Sequence, residues 1–121
     1  MIDPLSPGRI VWAVDPGDRG GRKLRPMIVA TRRTELIRTG QFLAVVCSTD
    51  VNADGLHPSE VELPSHAEGR CSTRLRRRTV AVCDWTTTLA VEDVRDTGGV
   101  VPATLLREIC IRAGLTFTTE R

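Results

Sequence analysis

The sequence contains no tyrosine, and its four aromatic residues are Trp12, Phe42, Trp85 and Phe117. Single-stranded RNA readers of the RRM and OB type stack bases on aromatic platforms, so a stacking sheet of that kind is not expected. Long apolar runs are missing as well. The longest, Phe42–Cys47, falls far short of the roughly 18 residues that span a bilayer. The opening Met1-Ile2-Asp3-Pro4 carries an acid and lacks the basic and apolar regions of a secretory signal, so a cytoplasmic protein with no membrane association is expected. Cys47, Cys71, Cys83 and Cys110 form no C-x-x-C, and His57 and His66 match no zinc spacing. Reduced thiols, no metal and no cofactor are the expectation. There is no G-x-S-x-G, P-loop, G-x-G-x-x-G or H-E-x-x-H, which removes the common hydrolase, nucleotide and zincin motifs.

What is present is an ordinary globular composition, 40% hydrophobic and 26% charged in 121 residues. That fits one domain spanning 1–121, with 1–7 as a flexible lead and 116–121 as a tail, and a core that needs no disulfide. The net charge of +2 hides a segregated distribution. Arg19, Arg22, Lys23, Arg25, Arg32 and Arg33 follow one another without an acid, as do Arg70, Arg74, Arg76, Arg77 and Arg78. Between Asp50 and Glu68 the charges are all acidic. Two basic stretches on one face would suit a polyanion, because guanidinium forks match phosphate. A solvated surface produces the same pattern, and genome base composition also favours arginine over lysine.

Apolar runs punctuated by turn residues predict strands at Ile10–Val14, Met27–Ala30, Phe42–Cys47, Glu60–Leu63, Thr79–Cys83 and Leu89–Val91. Pro26 opens the second of these, a position where proline is tolerated. Thr34 to Gly40 reads as a short helix with Thr34 as its N-cap. Leu105, Leu106, Ile109, Cys110 and Ala113 recur at helical spacing after Pro102, and Gly114 ends the pattern, which predicts an amphipathic C-terminal helix. The fold class is mainly β with minor α, a small barrel-like antiparallel sheet closed by one helix.

Three polar spots adjoin the strongest strands: Arg25, Ser48-Thr49-Asp50, and Asp84. Strand ends fix side chains while leaving them reachable. Each spot alone is also what an ordinary turn looks like, since Ser, Thr and Asp bond to their own backbone there. Trp85 is a candidate for stacking on a base, though an indole more often packs.

In order along the chain, Gly8-Arg9-Ile10-Val11-Trp12-Ala13-Val14-Asp15-Pro16, Arg25-Pro26-Met27-Ile28-Val29, Ala44-Val45-Val46-Cys47-Ser48-Thr49 and Val80-Ala81-Val82-Cys83-Asp84 resemble the successive motifs of MazF/PemK (Kid) toxins. The resemblance runs from Gly8 to Leu115. It implies an SH3-like barrel, a homodimer, a cognate antitoxin, and a metal-independent endoribonuclease for single-stranded RNA. In that chemistry the ribose 2′-hydroxyl attacks the neighbouring phosphate and leaves 2′,3′-cyclic phosphate and 5′-hydroxyl ends. By the same resemblance Arg25 clamps the phosphate, Ser48 donates a hydroxyl with Thr49 in support, and Asp84 takes the 2′-hydroxyl proton. Arg22, Lys23, Arg76, Arg77 and Arg78 would bind RNA.

The sequence departs from that pattern. Thr-Ser becomes Ser48-Thr49, Arg9 stands where many relatives carry an acid, Gly20-Gly21-Arg22 replaces Gly-x-Glu, and Val82 replaces an arginine. Fewer polar groups are left to move protons. Two other readings follow: a non-catalytic barrel of the same fold that inhibits a protein such as DNA gyrase, as CcdB toxins do, and a plain nucleic-acid-binding barrel.

Overall fold

The structure is a computed structural model that describes residues 5–17, 23–52 and 54–115. Six strands form one antiparallel sheet: β1 (Arg9–Ala13), β2 (Arg25–Val29), β3 (Gln41–Ser48), β4 (Glu60–Leu63), β5 (Thr79–Ala90) and β6 (Asp96–Val100). Their order across the sheet is β4-β5-β3-β2-β1-β6, and it curls into a half-barrel. Helix α1 (Arg33–Thr39) links β2 to β3, and α2 (Ala103–Arg112) ends the described chain. No helix among the described residues is long and apolar enough to cross a membrane.

Alternation along the strands sends side chains to two apolar clusters, one on each face. Ile10, Ile28, Val45, Cys47, Ala81 and Cys83 enter the first, which Leu106, Ile109 and Cys110 of α2 cover. Val11, Met27, Val29, Ala44 and Val46 enter the second, where Leu36 of α1, Phe42 and Leu89 join them. Leu5 is fully buried in that second cluster, so the lead expected over 1–7 is anchored from its fifth residue on. Residues 1–4 of that lead and the 116–121 tail lie outside the described residues.

Two elements differ from expectation in extent. The strands expected at Thr79–Cys83 and Leu89–Val91 are one strand, β5, with Val91 opening a short 3-10 turn. β5 departs from β3 midway: Val45 pairs with Thr86 and Cys47 with Ala81, so Val46 alone faces Val82 to Trp85. Over this bulge Val82 pairs with Glu60 and the Cys83 amide donates to Ser59 O at 2.7 Å. β6 was unexpected altogether. It donates a second row of bonds to a strap that leaves the end of β4: the Gly99 and Val100 amides donate to Thr73 O at 3.0 Å and Ser72 O at 2.8 Å. A Cβ on Gly99 would sit 2.0 Å from Ser72 O, so only glycine admits this approach. The strap is pinned by the buried Thr73, whose hydroxyl donates to Pro64 O at 2.6 Å and accepts from the Leu75 amide at 3.2 Å.

Helix ends follow chain chemistry. Gly40 closes α1 in the left-handed region at φ 73° and returns its amide to Leu36 O, as its place in the sequence suggested. The N-cap is Arg32 rather than Thr34, and Pro102 is the N-cap of α2 rather than its first helical residue. In both cases the cap lies one position or more from the residue that pattern favoured.

Candidate functional site

Arg25 opens β2 and pairs with Ala13 across β1. By alternation its side chain shares a face with Met27 and Val29. Pro26 lacks an amide donor, so the β2–β3 ladder stops at Met27↔Val46. Continuing that register two residues places Arg25 opposite Ser48 on the same face. The Arg25 guanidinium lies over the Trp85 ring at 4.9 Å from its centroid. Such a contact is worth roughly 0.5–2 kcal/mol, and its larger effect is to fix where a flexible cation points.

Beneath that pair is a residue that sequence reasoning missed. Asp15, only 6% exposed, accepts from the Trp85 indole N–H at 2.8 Å, the Thr87 hydroxyl at 2.9 Å and the Gly17 amide at 3.0 Å. Burial pushes the Asp15 carboxyl up. The Gly17 amide, Trp85 indole, Thr87 hydroxyl and Arg25 charge outweigh that and hold it below its ordinary range. The carboxylate is ionised and saturated, suited to holding Trp85 and opposing Arg25 rather than to taking protons. The only sequence signal was its place directly after a strong strand, and Asp15-Pro16-Gly17-Asp18 reads as a turn.

The remaining predicted residues are dispersed around this pair. Ser48 is half-buried and its Oγ accepts from the Asp50 amide at 3.0 Å, an ST turn that leaves the hydroxyl proton available. Thr49 alternates to the opposite face, where it lines a hollow of about 150 Å3 with Trp12, Lys23, Leu24, Arg25, Pro26, Cys47 and Arg77. That hollow brings together Lys23 and Arg77, one cation from each basic stretch, and borders on Arg25. Asp84 is exposed and lines a different hollow, with the 52–60 loop and Val82. It neighbours Trp85 in the chain but faces away from it, so the structure does not gather Asp84 into the Arg25 cluster. Arg78 is held by a bidentate pair to Glu62 at 2.7 and 3.0 Å. Arg76 is exposed beside Gly69, and Arg22 lies outside the described residues.

The cysteines contribute packing. Cys47, Cys83 and Cys110 are buried, and burial raises the Cys83 thiol and pushes the Cys110 thiol up to about 11. Among the described residues no group of three or more His, Cys, Asp or Glu side chains is placed to hold a metal.

No family model matches the sequence, and no curated protein matches it. Solved structures do. A MazF from Deinococcus radiodurans is 24% identical with a TM-score of 0.69, covering 91% of this chain and 93% of that one. An endoribonuclease from a mycobacterial species, solved with its cognate antitoxin, is 17% identical with a TM-score of 0.64 over 95% and 98%. The Mycobacterium tuberculosis toxin MazF-mt6 is 22% identical with a TM-score of 0.60 over 88% and 99%. The likeness extends over nearly the full length of each, and the fold of this chain is that of the MazF toxins.

Proposed function

We propose that this chain is the toxin of a toxin-antitoxin pair and that it cleaves single-stranded RNA. The observation that carries this reading is Arg25: a guanidinium held over Trp85, opposed by the buried Asp15, in register with Ser48, and bordering a hollow with Lys23 and Arg77. Such a cation clamps two phosphate oxygens and meets the charge that grows as the phosphorus becomes five-coordinate. The substrate supplies its own nucleophile. The 2′-oxygen gives up its proton and bonds to phosphorus, the bond to the 5′-oxygen breaks, that oxygen takes a proton from solvent, and a 2′,3′-cyclic phosphate and a 5′-hydroxyl remain. Because no water has to be activated, this chemistry requires no metal.

Within that reaction Ser48 donates a hydrogen bond from its hydroxyl to a phosphate oxygen while its lone pairs hold the Asp50 amide, and Thr49 lines the adjoining hollow. Asp84 is assigned the 2′-hydroxyl proton, which requires the RNA to lie across β5 between the two hollows. Lys23, Arg76 and Arg77 are exposed and offer phosphate contacts. The chain is proposed to act as a homodimer in the cytoplasm and to be silenced by an acidic antitoxin segment, as the mycobacterial endoribonuclease is found with its antitoxin.

The test uses purified protein and a mixed single-stranded RNA in EDTA. Cyclic phosphate ends that disappear with Arg25→Ala, and with a 2′-deoxy nucleotide at the cut site, are the expected result. Intact RNA together with growth arrest on expression would replace this reading with inhibition of a protein target.

A further inference from the structure

We infer that the hollow floored by Trp12 is a subsite for one pyrimidine base of the bound strand, adjoining the phosphate that Arg25 grips. The inference rests on the nucleic-acid reading above and adds to it a specificity-determining residue. Trp12 and Trp85 are the chain's two indoles, and the fold uses them differently. The Trp85 N–H is given to Asp15 and its ring lies under Arg25. Trp12 pairs with Pro26 across β1 and β2, is half-buried against the first cluster, and turns to the opposite face. Among the described residues nothing accepts a hydrogen bond from its indole N–H. An indole in this state offers a flat apolar surface and one unused donor, the two things a base edge and ring can meet.

The surroundings narrow the ligand. Pro26 and Cys47 are buried and apolar, Thr49 supplies a hydroxyl, Lys23 and Arg77 place positive charge around the opening, and Arg25 borders it. Cations around an apolar slot suit a ligand with a flat neutral part and anionic links, which describes a nucleotide within a strand. Size selects further. The hollow measures about 150 Å3, and a cavity of roughly that volume accommodates one benzene-sized ring. A pyrimidine ring matches that volume, and a purine's second ring would project beyond the walls.

The experiment uses the full chain and short oligoribonucleotides carrying a 2′-deoxy nucleotide at the cut site, with a pyrimidine, a purine or an abasic unit placed at each position in turn. Binding is followed by titration and by indole emission. One position is expected where purine and abasic units weaken binding roughly five- to a hundred-fold, the range of a single lost stack. Trp12→Phe keeps a ring and leaves Trp85 as the one indole, so base-dependent quenching at that position should fall to the share that Trp85 reports, while Trp12→Leu loses the position's preference. Purines and abasic units that bind within about twofold of pyrimidine everywhere, or base-dependent quenching undiminished in Trp12→Phe, overturn the subsite. Should Trp12→Leu fail to fold, the scan on the unaltered protein decides alone. Uncut RNA from the unaltered protein, with base-dependent quenching intact, would remove the nuclease reading and leave the base subsite standing. DNA versions of the oligonucleotides tell whether the ribose matters to it.

Discussion

The indole of Trp85 donates to the carboxylate of Asp15 across 2.8 Å, joining residues 70 positions apart. In the sheet order β5 and β1 are separated by β3 and β2, roughly 14 Å in a flat sheet. Curl of the half-barrel and the reach of two side chains close that gap, and Arg25 is set above the result.

Replacing Asp15 with Asn tests this directly. It removes a charge from three hydrogen bonds and should cost about 1–3 kcal/mol at neutral pH, read as a lower urea midpoint. The pH dependence has a defined sign. The folded carboxyl is held below its unfolded value near 4, so its contribution is present above that value and lost as pH falls through the lower folded one. Unfolding midpoints between pH 7 and pH 2.5 should fall on the acid side for the unaltered protein and flatten in Asp15→Asn. Parallel curves would separate Asp15 from the acid limb.

Arg25→Lys discriminates charge from geometry. A lysine keeps the cation but loses the planar fork, so RNA binding should persist while single-turnover cleavage drops roughly 100-fold, the scale of one lost transition-state donor. A rate near that of the parent would show that charge alone suffices.

Asp84 is exposed and in a separate hollow from Arg25, which makes Asp84→Asn the most informative single change for proton transfer. As general base its loss should lower kcat by roughly 100-fold or more at unchanged KM. Cleavage within about threefold of normal would take that role away from it.

Gly98 and Gly99 are adjacent and should respond very unequally to alanine. At Gly99 the new Cβ meets Ser72 O at 2.0 Å, whereas at Gly98 its nearest neighbour is Ile10 Cγ2 at 3.5 Å. Gly99→Ala is expected to lose about 3 kcal/mol or more because backbone must shift, and Gly98→Ala less than about 1 kcal/mol. Thermal melts of the two variants side by side measure the difference.

Thiol reactivity should single out Cys71. Its neighbour Thr73 bonds its sulfur at 3.3 Å and lowers it, while Cys47, Cys83 and Cys110 are buried with raised thiols. With a disulfide reagent at pH 8, Cys71 should react quickly and the other three only on unfolding. Fast reaction of a second thiol would show that the α2 face opens readily.

The parts of this fold written in short-range pattern were legible, and the parts written in distant contacts were not. β1, β2, β3 and β4 announce themselves as apolar or alternating runs ended by Pro, Gly or Asp, and α2 by its spacing. β5 was read as two pieces because Asp84, Thr86 and Thr88 face solvent across its bulge and break the apolar run. β6 was missed because Asp-Thr-Gly-Gly-Val has the composition of a turn, and its Gly99 answers to a strap some 25 residues earlier. At the site, Arg25 stood out beside Pro26 before a strong strand. Asp15 did not, since its partners Trp85 and Thr87 become neighbours only when the sheet curls. Thr49 and Ser48 are adjacent in the chain but point to opposite faces, so treating them as one hydroxyl pair was a limit of reading by sequence neighbour.

The strap also governs how the molecule can meet others. With the Gly99 and Val100 amides already engaged by Thr73 and Ser72, an incoming strand has no open ladder to extend there. The opposite margin, β4, carries Glu60 and Glu62 and stops at Pro64, a charged and proline-ended border of the sort that discourages edge-to-edge growth. Recognition through side chains on the sheet's faces is thereby favoured over templated stacking, and a concentrated solution of this protein is guarded at both flanks against fibrous assembly.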